Sequence, residues 1–383
     1  MNCQKHLFDI PENIHYLNGA YMSPQLKSIS EIGQAAVLRK SQPFRFSVDD
    51  FFQPVDQLKA LFAKLVEVEN HQRIAIIPSV SYGISTVAKN VKLSSNQHIL
   101  LVEEQFPSNY YPWKNVVNDS GASIKIVAPP NTDHRTANWN EKILDSINQD
   151  TALVSISHTH WADGTLFDLK AIRAKTKEVG ALLIIDGTQS VGALPFSVKE
   201  FQPDALICAA YKWLLGPYSL GLAYYGEAFD NGSPIEENWI NRYQSEDFAA
   251  LVHYKDQYRP FANRYSVGEQ SNFILVPMLT KALAQLLEWG VENIQAYTKI
   301  LSSAIINELK AMGCRIEAEE NRCGHLFGVR LPAHVEMKEL KEIFTAHQVF
   351  VSIRGDSIRI SPNVYNTSQN FQQLLSGFKK ICS

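Results

Sequence analysis

Two residues in this chain, Asp186 and Lys212, suggest chemistry before any element is assigned. The segment "DGTQSVGALPFSVKEFQPDALICAAYKW" sets Asp186 directly after the apolar run "ALLII" and Lys212 after a second run, "DALICAA". Taken singly, each residue has an ordinary role: a solvated lysine at a strand end, or an aspartate capping the helix that follows. Taken together they put a carboxylate and an amine at the ends of two runs that read as strands of one sheet. The flanks of Lys212 are apolar and aromatic, and desolvation lowers the pKa of a lysine and makes it a nucleophile toward carbonyl carbon. Gln189, shortly after Asp186, adds an amide that could donate to an anionic ring oxygen.

This set meets the short list of needs of pyridoxal 5'-phosphate (PLP). A lysine forms its Schiff base, an acid keeps its pyridine nitrogen protonated, N–H groups and hydroxyls hold its phosphate, and a flat group stacks on its ring. A cation then grips the α-carboxylate of an amino acid. In "IIPSVSYGISTVAKNV" an apolar run leads through Pro78 into small hydroxyl residues and a helical pattern. Ser81 and the N–H groups around Val80 would open that helix, and a helix N-terminus is a ready anion site. Neither a G-x-G-x-x-G nor a G-x-x-x-x-G-K-[ST] stretch claims the phosphate for a dinucleotide or a nucleoside triphosphate. In "VEEQFPSNYYPWKN" Phe106 is the candidate stacking plate, with the core as its other assignment. In "SIRGDSIRISPNVYNT" Arg359 is the candidate for a bidentate carboxylate contact, against a plain surface arginine on an edge strand. His158 and His160 alternate on an extended stretch, and His158, after a strand end, could approach the cofactor. Neither this pair nor Cys314, Cys323 and His325 matches a common zinc spacing, so no metal is expected.

The elements that must position these groups are legible as alternation. The runs "IAII", "HILLV", "SIKIV", "ALVSI", "ALLII", "DALIC" and "GLAYY" are apolar throughout, as strands covered on both faces are. Helical patterns such as "LKAIRAKTKEVG" lie between them. That predicts an α/β fold with a mainly parallel seven-stranded sheet, whose ligands bind outside the carboxyl ends of the strands. The chain of 383 residues is long enough for two domains. The expected division is a large cofactor-binding domain over 16–271 and a smaller α+β domain over 272–383, with residues 1–15 packing on the latter. Lys plus Arg is 36 against 39 for Asp plus Glu, which gives no electrostatic reason to expect nucleic acid. Five cysteines (3, 208, 314, 323 and 382), odd in number and without a spacing pattern, point to a reduced, cytoplasmic setting. The first residues lack the apolar core of a signal peptide, and no run reaches the ~18 apolar residues of a membrane span.

With these residues in view, the chain resembles the class V aminotransferase family of fold-type-I PLP enzymes, which includes cysteine desulfurases, kynureninases and isopenicillin N epimerase-like proteins. The segments "IDGTQSVG" and "AAYKWLLGPYSLG" carry the resemblance, with weaker support from "YLNGAYMSP", "SVSYGISTVAKN", "FPSNYYPW", "HTHWADGTLFDL", "VGEQSNF" and "IRISPNVYNT". It implies that Lys212 holds PLP, Asp186 meets the pyridine nitrogen and Gln189 the phenolate oxygen. Phe106 and Thr188 would cover the two ring faces. Val80, Ser81 and Tyr211 would bind the phosphate, with Gln270 or Ser271 reaching it from the other subunit of a homodimer. Arg359 would take the substrate carboxylate, with Trp161 lining the pocket. Three departures bear on the reaction. Ala209 and Ala210 stand where family members often have a hydroxyl, "RGDSIRIS" leaves no room for a loop with a nucleophilic cysteine, and Gln189 replaces the histidine usual in kynureninases. The resemblance implies transamination, leaving lyase, C–C hydrolase and epimerase outcomes open. Outside catalysis, a non-catalytic binding protein on the same fold is the alternative.

Overall fold

The computed structural model describes residues 1–132 and 134–382. Seven strands form the central sheet: β1 (Ile74–Ile77), β2 (His98–Val102), β3 (Ser123–Val127), β4 (Thr151–Ser157), β5 (Leu182–Asp186), β6 (Ala205–Ala209) and β7 (Gly221–Tyr225). Their order is β1-β7-β6-β5-β4-β2-β3. Every pairing is parallel except the two made by β7, which runs antiparallel between β1 and β6. Six of the seven apolar runs are buried strands. β3 is the exception: it lies at the sheet edge and is largely exposed or half-buried, with Lys125 in its middle.

The crossovers carry local stop and start signals. Ser79 caps helix Val80–Asn90 by accepting from the Tyr82 N–H at 3.2 Å. Asp168 does the same for helix Leu169–Val179 through the Ala171 N–H at 3.0 Å, and Gly180 closes it in a left-handed conformation. Such caps satisfy N–H groups that a helix start leaves without partners.

One large core packs the sheet against helices Lys27–Arg39, Asp49–Leu65 and Leu275–Trp289. A separate core lies between a three-stranded antiparallel sheet and helices Met337–Ala346 and Ser368–Cys382. In that sheet Ser357–Ile360 is the central strand, between Ser352–Arg354 and Phe327–Arg330. Helix Val291–Ala311 joins the two: Val291 and Ile294 belong to the large core, Ile305, Ile306 and Leu309 to the small one. The opening segment ties them together as well. His15–Tyr16 pairs with Val349–Phe350, and Gly19 and Ala20 donate to the Ser361 carbonyl and hydroxyl at 2.9 and 3.0 Å. No described helix is long and apolar enough to cross a membrane.

Candidate active site

Adjacent parallel strands bring their carboxyl ends together, and here that principle sets the site. Asp186 is the last residue of β5, paired with Ser157 at the end of β4 and with Ile207 of β6. Lys212 follows β6 in the turn beyond Ala209. The two turns are stitched to each other. Asp186 Oδ1 accepts from the Thr188 N–H at 3.0 Å, and Thr188 Oγ1 accepts from the Ala209 N–H at 3.1 Å.

A cavity of about 310 Å³ opens over these ends. Of the residues singled out in the sequence, Val80, Ser81, Phe106, Trp161, Asp186, Thr188, Gln189, Tyr211 and Lys212 line it. Lys212 Nζ stands 5.5 Å from the ring centres of both Phe106 and Tyr211. The Lys212 side chain is 7 % exposed. Burial lowers its pKa to about 8, with the Arg359 charge lowering it further and Asp186 opposing. Burial likewise raises the Asp186 pKa, against the hydrogen bonds from Thr188 and the Lys212 charge. No described salt bridge joins the two, so both are available to a third group between them.

Gln189 is held at both ends of its amide. Nε2 donates to the Ala20 carbonyl at 3.1 Å and Oε1 accepts from the Trp213 indole at 2.9 Å, which leaves one N–H of the amide to spare. His325 braces the same turn through a 2.8 Å contact between Nε2 and the Gln189 carbonyl. On the opposite wall Ser79 Oγ and Ser81 Oγ meet at 2.9 Å at the start of helix Val80–Asn90. That end offers free N–H groups and hydroxyls to an anion. Phe106 and Trp161 meet edge to face at 5.5 Å.

Arg359 lies just outside this lining. It is on the central strand of the small sheet, not an edge strand, and is 1 % exposed. Its Nη1 donates to the Trp161 carbonyl at 2.7 Å and its Nη2 to Ser352 Oγ at 3.4 Å. Its Nε is buried without a partner, and among the described residues no carboxylate pairs with it. Burial and the neighbouring Arg354 lower its pKa to about 9. A buried guanidinium left this way is costly unless an anion completes it.

Three expected residues lie elsewhere in the single chain. His158 packs its ring on Phe196 and Phe201, 5.8 and 5.2 Å between centres, and burial lowers its pKa to about 3. It is outside the cavity lining, because alternation along β4 turns it toward the aromatic layer. Gln270 donates to Asn241 Oδ1 at 3.2 Å and Ser271 to the Phe51 carbonyl at 2.5 Å, and neither lines the cavity. Conversely, Gln105, Ser108, Ser157, Tyr218 and Ser219 line it unannounced. Ser157 was within reach of the strand-end rule: it ends β4 beside Asp186, and its buried hydroxyl has no partner.

The residues present fit a phosphorylated pyridine aldehyde: a buried amine, a buried acid, an aromatic plate and an anion-binding helix start face one cavity. Among the described residues no group of three or more His, Cys, Asp or Glu could hold a metal ion.

Comparison with known proteins follows the same outline. The family model for aminotransferase class V matches residues 47–374. An uncharacterized aminotransferase of Bacillus subtilis, YcbU, is 27% identical over 320 residues, 82% of this chain and 80% of the relative. A kynureninase of Bacillus anthracis is 24% identical over 295 residues, 74% and 67% of the two chains. Among solved structures, a lysine-to-alanine variant of C-DES with glycine covalently linked to its PLP cofactor superposes with a TM-score of 0.87 at 17% identity, covering 99% of both chains. That likeness is one of fold.

Proposed function

This chain belongs to the class V aminotransferase family, and from that premise we propose that it is a PLP-dependent enzyme acting at the Cα of an α-amino acid. The observation that carries the reading is the pair lining one cavity: Lys212, whose pKa burial lowers to about 8, and Asp186, buried and not ion-paired to it. When bound, PLP supplies an electron-poor pyridine ring that takes up the charge released at the substrate's Cα.

The rest falls to the chain's own residues. Lys212 Nζ would hold the cofactor through its aldehyde carbon, and the same amine, when free and neutral, would be the base for the substrate's Cα proton. Asp186 would keep a proton on the ring nitrogen by charge pairing at a buried position. The spare N–H of Gln189 would serve the ring oxygen, Phe106 and Thr188 would cover the ring faces, and Ser81, Tyr211 and the Val80 N–H would take the phosphate. Arg359, which has no acid partner among the described residues, would take the α-carboxylate. Within the family, transamination is the reading we favour over elimination, C–C cleavage or epimerisation. No cysteine lines the cavity, which argues against sulfur transfer through a thiol of this chain.

The test is to mix the PLP-loaded protein with common amino acids one at a time, alongside Lys212→Ala. A keto acid appearing with aminated cofactor is the expected product, absent in the variant. Racemised amino acid, or ammonia with sulfide, would replace transamination by epimerisation or elimination. A variant with the wild-type visible spectrum would remove Lys212 from the site.

A further inference from the structure

Arg354 has no task in the site described above, although it stands beside it. The antiparallel hairpin pairs Ser352 with Arg359 and Arg354 with Ser357. Residues opposite each other share a face, as do alternate residues on one strand. Arg354 and Arg359 therefore project from the same face as diagonal neighbours, about 7–8 Å apart at the backbone. The Arg354 guanidinium lies over the Trp161 ring, 5.6 Å from its centre, and Trp161 lines the Lys212 cavity. Among the described residues its one side-chain hydrogen bond goes from Nη1 to the Ile353 carbonyl at 2.7 Å. Among the described residues no carboxylate pairs with it. Asp356, the acid in the same turn, is taken by Arg330 at 3.2 Å. Glu104 reaches the turn at Gly355 and makes no ion pair among the described residues.

Arg354 also borders a second cavity, of about 470 Å³. Asn18, Tyr21 and Ser352 line it beside Arg354. Ser352 is the link between the two spaces: its hydroxyl donates to Asn18 Oδ1 at 2.8 Å and accepts from Arg359 Nη2. Among the described residues the lining holds a second cation, Lys341, and neither Asp nor Glu. Arg354 and Arg359 thus place their charges near Lys212 from outside the cavity lining, and among the described residues Asp186 is the one acid that lines the Lys212 cavity. The α-carboxylate of a substrate offsets one of the two arginines. The other, Arg354, stacked on Trp161 at the edge of the site with Nη1 on the Ile353 carbonyl, has its remaining guanidinium N–H groups for a second carboxylate.

We propose that Arg354 is a specificity-determining residue that binds a carboxylate at the far end of the substrate side chain, so that the preferred substrates are short dicarboxylic amino acids. The inference rests on the amino-acid reading of the site given above. It is tested by loading wild type, Arg354→Gln and Arg354→Lys with PLP and titrating each with L-aspartate, L-asparagine, L-glutamate and L-glutamine, following the visible spectrum. In the wild type an acid should bind at least about 10-fold more tightly than its amide, the difference made by one charge-assisted contact. Arg354→Gln should bring that ratio to about one, and Arg354→Lys should restore part of it, because charge returns without the fork. Acid and amide binding alike in the wild type would overturn the proposal and leave the amino-acid reading standing, and that comparison decides even if the glutamine variant fails to fold. An acid preference undiminished in a folded Arg354→Gln would also overturn it. A PLP-loaded protein whose spectrum answers to no amino acid would remove both readings together.

Discussion

At pH 7 a lysine of ordinary pKa, near 10.4, is neutral in roughly one molecule in 2,500. Lys212, lowered to about 8 by burial first and by Arg359 next, is neutral in roughly one in ten at that pH. Only the neutral amine attacks a carbonyl, so its reactive fraction rises with pH and levels off above the pKa. The rate at which the cofactor-free protein takes up PLP should therefore rise to half its plateau near pH 8, followed as growth of the visible band. Arg359→Gln should move that midpoint upward, since removing a like charge favours the protonated amine. A midpoint near 10.5 in the wild type would mean that Lys212 is solvated when PLP arrives. At this scale the sequence was readable where chemistry and position coincide, as for Asp186 and Lys212 at strand ends. It misled for His158, because alternation tells which residues share a face and not which face meets the core.

Strands were the most legible elements, because burial on both faces writes them as unbroken apolar runs. Their order was not, since nothing local marks β7 for insertion between β1 and β6, and β3 hides its exposed edge behind apolar spelling. Nor does the sequence show how the Asp186 and Lys212 turns are fixed to each other. Gly192 does this: at φ +99° it lies so close to the second turn that a Cβ would sit 2.4 Å from the Trp213 carbonyl oxygen. Gly180, also left-handed at φ +76°, has nothing within 4 Å of that position. Alanine at 180 should cost about 1 kcal/mol of backbone strain. Alanine at 192 adds the overlap, about 1–3 kcal/mol more, and by moving the Trp213 turn it should weaken PLP binding as well. Urea midpoints and PLP dissociation constants of the two variants make the comparison. Equal losses, with PLP affinity intact in both, would show that the two turns are not locked through Gly192.

For the whole molecule the unplaced residues become informative. Gln270 is buried with its Oε1 lacking a partner, and Ser271 is fixed to the Phe51 backbone, away from the chain's own cavity. Several large apolar side chains are exposed on the stretches that lead into the rings packed beside that segment. Phe51 packs its ring on Trp239, Phe248 and Phe273. Nearby in sequence to these, Leu38 and Phe44 are 71% and 81% exposed, Val252 and Tyr254 74% and 95%. A second copy covering this face would bury those side chains at about 1.5–3 kcal/mol for each aliphatic or Phe group. It would also give the Gln270 segment a neighbour's phosphate to reach, as the family resemblance implies. The expected state is a homodimer in sedimentation at micromolar concentration. Placing aspartate at both 44 and 252 should shift it toward monomer. The same variant should then hold PLP more weakly, because each cavity would lose the contact supplied by its partner. Were the aspartate variant monomeric and its PLP affinity equal to that of the wild type, the site would be complete within one chain, and Gln270 and Ser271 would have no part in it.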